Sequence, residues 1–219
     1  MVTARSLVVA IILLPINAFW VTRMEVFRYA GHPTTISLFF NVVFILAVLL
    51  ALNSVARRLW PRMALTPPEL ITVYIMLALG SAIAGHDMIE VLTPILSHAH
   101  FYARPENNWA TDIIPYIPKW LSVTDQRALK EFYEGTNTLY VARNIRAWLG
   151  PVLWWTAFLT VLGFMMLCLN TILRRQWTES ERLSYPLVSL PLEMVNEKTE
   201  LFKNRLFWIG VAASAVLEI

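Results

Sequence analysis

Residues 148–173, WLGPVLWWTAFLTVLGFMMLCLNTIL, contain no charged side chain and are followed at once by Arg174 and Arg175. A hydrocarbon core about 30 Å thick is spanned by roughly 20 apolar residues in helical form. In lipid the backbone must satisfy its own polar groups, so a run of this kind becomes a helix. The spacing predicts a membrane-spanning helix over 148–173. Trp148, Trp154 and Trp155 stand toward one end, as packing or interface anchors, and the basic pair closes the other.

Three further runs repeat the pattern. Residues 6–21 form a slightly short span with Pro15 and Asn17 near mid-depth and Phe19 and Trp20 at its end. Residues 36–52 are apolar apart from Asn41 and lead to Arg57, Arg58 and Arg62. Residues 70–85 are apolar to Leu79 and then loosen at Gly80, Ser81 and Gly85. With 57% hydrophobic and 15% charged residues, the chain is that of an integral membrane protein. The expected fold class is all-α, a polytopic transmembrane helical bundle. The net charge of +3 comes from basic residues at the ends of apolar runs, which argues for topology signals and against nucleic acid as a partner. The expected partners are the lipid bilayer and further transmembrane helices, of the same protein or of a complex. Asn17, Asn41 and Asn170 are expected to hydrogen-bond between helices. Cys168, the one cysteine, lies in an apolar run and is expected to pack. Arg5 and the apolar run after it resemble a signal peptide, but Ile16 precedes the candidate cleavage point after Ala18, and an uncleaved anchor is expected.

The connections carry their own signals. Residues 22–35, with Gly31 and Pro33, read as a loop or interfacial segment that includes His32. At 66–69, TPPE combines a capping threonine, prolines suited to the first turn and a glutamate that closes a capping box, so a helix starts here. Ala78 with Ala82, and Ser81 with Gly85, place small residues four apart for close helix approach. Residues 101–147 turn to Pro, Asn, Asp, Lys and aromatics and form an extracytoplasmic loop segment. It contains a short helix over 124–134, capped at Thr124 and stopped by Gly135. Residues 174–205 are a cytoplasmic or re-entrant connector broken by Pro186 and Pro191, with a second capping box expected over 178–181 and Glu193 expected to be solvated. Residues 206–219, with Glu218 near their end, begin a further transmembrane helix, and the chain is expected to be the N-terminal portion of a larger transporter-like fold.

Arg5, Arg57, Arg58, Arg62, Arg174, Arg175, Arg182, Lys198, Lys203 and Arg205 share one side if the spans alternate. The positive-inside rule then puts the N-terminus in the cytoplasm and residues 101–147 outside. The expected location is the cytoplasmic (inner) membrane.

His86, Asp87 and Glu90 follow the loosened end of the 70–85 run, inside an expected broken or re-entrant helix over 86–100. Positions three and four apart share a helical face, and ionisable groups at such a break are a default place to seek function. They are candidate coupling or binding residues that carry protons or a solute. His86, Glu90, His98 and His100 are candidate ligands for a divalent cation, although their spacing matches no metal signature. The competing reading places the same residues at the outer interface, bonded to water and headgroups. His32 as an axial ligand to haem or chlorophyll has no supporting motif, and no cofactor is assigned. Neither a phosphate-binding glycine loop nor a nucleophile elbow is present, and the protein is not expected to be an enzyme.

Three blocks, FRYAGHPTTISLFFNVVFILAVLLALN from Phe27, LTPPELITVYIMLALGSAIAGHDM from Leu65 and RRQWTESERLSYPLVSLPLEMV from Arg174, resemble a family of uncharacterised bacterial polytopic membrane proteins. That family is similar, at a distance, to the oligopeptide transporter superfamily. The resemblance implies a transporter-like helical fold in a longer protein and supplies no substrate. The expected function is secondary transport of small peptides or similar solutes, proton-coupled. The alternative is a non-catalytic structural subunit of a membrane complex.

Overall fold

The computed structural model describes residues 2–29, 31–181 and 185–217, with the backbone alone for residues 87 and 214–217. Arg182 and Glu218, counted above, lie outside the described residues, as do positions 183–184 of the connector. Helices α1 (Ala4–Thr22), α2 (Phe40–Leu59), α3 (Pro67–Ala84), α4 (Val91–Tyr102), α5 (Trp109–Asp112), α6 (Gln126–Glu134), α7 (Ala142–Arg175), α8 (Pro186–Val195) and α9 (Arg205–Leu217) account for most of the described residues, and no strand occurs among these. Wider π turns extend α1 over Arg23–Arg28, follow α3 over His86–Glu90 and extend α7 over Gln176–Ser180. Four helical stretches are long and apolar enough to cross a membrane: Ala4–Arg28, Phe40–Leu59, Pro67–Tyr102 and Ala142–Ser180. The chain divides into two compact units, one of Met1–Glu90 with Tyr185–Ile219 and one of Val91–Ser184.

In the first unit α1 and α3 run parallel, and α2 runs against them. Arg5 of α1 reaches Glu69 at the start of α3, Asn17 meets Ser81 further along, and Glu25 meets the backbone of His86 beyond both helix ends. Asn41, at the start of α2, joins Asn17 and Ser81, whereas Asn53 near its other end exchanges two hydrogen bonds with Leu65 at 2.9 and 2.7 Å. Ala10, Val42, Val73 and Leu77 fill the space between the three helices. Leu46 and Leu70 extend this core to Met194 and Val195 of α8.

The helix starts follow from the sequence. Thr3 Oγ1 accepts the Ser6 N–H at 3.3 Å, and Ser6 Oγ accepts the Thr3 N–H at 3.2 Å, so both otherwise orphaned donors are satisfied. At α3 the Glu69 carboxylate accepts the Thr66 N–H at 2.8 Å and the Thr66 hydroxyl at 2.9 Å. Glu69 does more than cap. Its side chain is almost fully buried, and it also accepts from the Thr3 hydroxyl and from Arg5 at 3.1 and 3.2 Å, so one carboxylate ties the starts of α1 and α3 together.

Several expected boundaries differ. The polar segment after Thr22 is not loop throughout: helical winding continues to Arg28, because Glu25 faces inward and finds donors on Thr34. The second helix begins at Phe40 rather than 36, since the Thr34 N–H is held by Glu25 and the Thr35 hydroxyl by the His32 carbonyl, which keeps the chain in turns up to that point. Asp125, not Thr124, caps α6, accepting the Ala128 N–H at 2.8 Å. No helix starts over 178–181. The Thr178 hydroxyl bonds back to the Arg174 carbonyl at 2.7 Å within the turn that extends α7, and the next helix waits for Pro186.

In the second unit the segment after α4 folds back onto it. The Val123 N–H bonds the Leu96 carbonyl at 2.8 Å, and Val123, Leu96, Leu129 and Trp148 form a small core. Phe101 stacks on Tyr133 with ring centroids 4.1 Å apart. Glu131 of α6 accepts from Asn144 of α7 at 3.0 Å and from Arg143, docking the short helix on the start of the long one. Gly135, with φ +63, occupies the left-handed conformation that ends α6. Beyond Pro151 the apolar side chains of α7, among them Phe158, Val161, Phe164 and Ile172, are exposed.

Candidate functional site

Polar groups in the first unit form two linked layers. The inner one joins Asn17, Asn41 and Ser81, each fully buried. Asn41 Nδ2 donates to Asn17 Oδ1 at 2.8 Å and to Ser81 Oγ at 2.9 Å, and Asn17 Nδ2 donates to Ser81 Oγ at 2.8 Å. An amide without a partner is costly in an apolar interior, and here α1 and α3 supply acceptors for both amide nitrogens, while Asn41 Oδ1 is buried without a partner. Asn17 lies about 20 Å along α1 from its start at the usual rise of 1.5 Å per residue.

The outer layer lies about 12 Å further along, at the turns that follow α1 and α3. Glu25 is buried, and its carboxylate accepts the Thr34 N–H at 2.7 Å, the Thr34 hydroxyl at 2.8 and 2.9 Å and the His86 N–H at 2.9 Å. The His86 donor is free because Gly85 ends the α-helical pattern and the chain rewinds as a π turn, in which the Glu90 N–H reaches the Gly85 carbonyl. Such turns place side chains off the regular helical register and occur often at functional sites. Here the winding brings His86 Nδ1 to 4.0 Å from Glu90 Oε2. Neither Glu90 oxygen has a hydrogen-bond partner, and its side chain is 7% exposed against 42% for His86. The His32 ring stands 6.1 Å from the His86 ring, centroid to centroid, and its buried Nδ1 is also without a partner. A half-exposed imidazole thus stands beside the buried Glu90 carboxylate, and the backbone N–H of the same residue is held by the buried Glu25.

Of the residues singled out by sequence, His86 and Glu90 come together. The Asp87 side chain lies outside the described residues. His98 and His100 are engaged within their own unit: His98 packs on Tyr102 and Trp109 at 4.5 and 5.7 Å, and His100 Nε2 shares a hydrogen bond with Ser122 Oγ at 3.1 Å. Among the described residues no group of three or more His, Cys, Asp or Glu side chains is placed to hold a metal ion. Glu25, Thr34 and Ser81 were not anticipated. A signal for Glu25 exists, because Ala10, Asn17, Val21 and Glu25 recur at spacings of seven, four and four, and all four are buried. That is one continuous helical face, which reading 22–35 as a loop cuts short.

No curated protein and no solved structure matches the chain. A family of unknown function, DUF6785, matches it over residues 1–219, and the chain belongs to that family.

Proposed function

We propose that this protein is a proton-coupled secondary transporter of small peptides or similar solutes, with Glu90 and His86 as its proton-carrying groups. The observation that carries the reading is the Glu90 carboxylate, buried with both oxygens unpartnered beside a half-exposed imidazole. Ionisable groups placed at such cost inside a helical membrane protein commonly serve ion pathways. Histidine takes up and releases a proton near neutral pH. At 4.0 Å the pair is not hydrogen-bonded, so a proton passes from imidazolium to carboxylate through an intervening water or after rotation of the His86 side chain. The gathering of Arg5, Arg57, Arg58 and Arg62 at the opposite end of the first unit supports a cytoplasmic N-terminus in a bacterial inner membrane, with the acidic cluster toward the outer face. The solute class rests on the resemblance to the oligopeptide transporter superfamily, since the family match carries no activity.

The test is reconstitution of the purified protein in vesicles with dialanine and trialanine as probes and an entrapped pH-sensitive dye. Peptide-dependent proton entry is expected for the wild type. Glu90→Gln is expected to lose uptake driven by the pH gradient while keeping peptide exchange at equal pH, a split that misfolding does not produce. Absence of peptide-dependent proton entry in the wild type, or unchanged gradient-driven uptake by Glu90→Gln, overturns the proposal and favours a structural subunit.

A further inference from the structure

At the basic end of the first unit, α1, α2 and the turn after α2 line an open groove of about 540 Å³. Its walls are apolar, with Val8, Leu49, Leu52, Ala56 and Met63 among them, and Arg5 and Arg62 stand at its rim. The two arginines have different duties. Arg5 is committed to Glu69, and its Nη1 donates to the Arg62 carbonyl at 2.9 Å, which fixes the turn that carries Arg62. Among the described residues no acidic side chain pairs with the Arg62 guanidinium. The groove therefore presents an apolar trough lined also by a cation that no acidic side chain among the described residues neutralises.

We infer that this groove binds an anionic phospholipid, with an acyl chain lying between α1 and α2 and the phosphate at Arg62. The argument is one of complementarity. The apolar walls match a hydrocarbon chain, and the free cation matches a net-negative headgroup better than a zwitterionic one, whose ammonium competes for the same phosphate. Basic pockets between membrane helices on the cytoplasmic side recognise anionic headgroups on this physical basis. The site is distinct from the Glu25, His86 and Glu90 cluster, which lies at the other end of the same helices, and it does not depend on transport.

The test uses the purified protein reconstituted in dioleoylphosphatidylcholine with a trace of spin-labelled phosphatidylglycerol or spin-labelled phosphatidylcholine. The motionally restricted fraction of each label is read by electron spin resonance. Preferential restriction of phosphatidylglycerol is expected for the wild type. Arg62→Gln is expected to reduce that preference about fivefold, the factor corresponding to one basic residue at an anionic surface. Leu52→Trp, which fills the trough without touching the cation, is expected to abolish it. Val8→Trp fills the same space from the facing wall and replaces Leu52→Trp should that variant not fold. Equal restriction of the two lipids by the wild type, or a preference unchanged in both the Arg62 and the trough-filling variants, overturns the inference; the second result indicates a groove closed by protein.

Discussion

A Cβ built on Gly85 would fall 2.2 Å from Thr34 Oγ1 and 2.6 Å from Thr34 Cβ, so the backbone of one residue and the side chain of the other leave no space between them. Gly85 has a φ of −80°, which any residue adopts. Space, not conformation, is what calls for glycine here. The contact also positions chemistry, because Thr34 supplies two of the donors that hold the buried Glu25 carboxylate.

Gly85→Ala is therefore expected to push Thr34 away and loosen Glu25. Overpacking of this kind costs about 1–3 kcal/mol. In a chain of this size that corresponds to a fall in melting temperature of roughly 2–4 °C per kcal/mol. Thermal unfolding in detergent measures it, and a melting temperature equal to that of the wild type contradicts the contact.

Glu69 allows a graded prediction. Its carboxylate serves Thr3, Arg5 and Thr66 at once from a buried position, whereas Arg5 is half exposed. Removing the acceptor strands several donors, so Glu69→Ala is expected to cost about 3 kcal/mol. Glu69→Gln keeps one acceptor oxygen and is expected to cost less. Arg5→Gln is expected to cost least, about 1 kcal/mol or below, because water replaces much of what the exposed guanidinium gives. The order of the three melting temperatures decides the matter.

The start of α3 was legible in TPPE because capping is a local device: the residues that satisfy the first turn are adjacent in sequence. The apolar runs were legible for a similar reason, since a membrane-spanning stretch announces itself by length and composition alone. What Glu69 does beyond capping, and what Glu25 and Ser81 do, was not legible, because those partners lie 9 to 66 residues away and depend on how α1 and α3 align. The expected interhelical role of Asn17 and Asn41 could be argued from cost, but the choice of Ser81 as their common partner could not. The rewinding at His86–Glu90 was visible only as a break. Its π form follows directly on Gly85, which must stay small against Thr34.

The Asn17, Asn41 and Ser81 layer predicts non-additive energetics. Asn17→Leu leaves Asn41 with one partner fewer in a fully buried site and is expected to cost about 1–2 kcal/mol. Asn41→Leu is expected to cost a similar amount. The double variant removes both amides together, leaves no amide unpaired between them, and is expected to cost less than the sum of the two. A double-mutant cycle on melting temperature measures the coupling, and simple additivity counts against a shared network.

Acid sensitivity is expected in the second unit at Glu131. Hydrogen bonds from Asn144 foremost, then from Arg143, hold its carboxyl below the usual glutamate range. A depressed folded-state value means that the ionised form favours the docked α6, and the contribution is fully present above the unfolded glutamate value of about 4.3. It is lost as pH falls below that value and through the lower folded one. Docking of α6 on α7 is therefore expected to be flat in pH from neutrality down to about 5 and to weaken on further acidification. Trp148 reports the change, since its ring lies 4.9 Å from that of Phe132 on α6. Its fluorescence is expected to shift along an acid limb in the wild type, and Glu131→Gln, which does not titrate, is expected to lack the part of that limb due to this group. A limb of equal size in both proteins excludes Glu131 as its source.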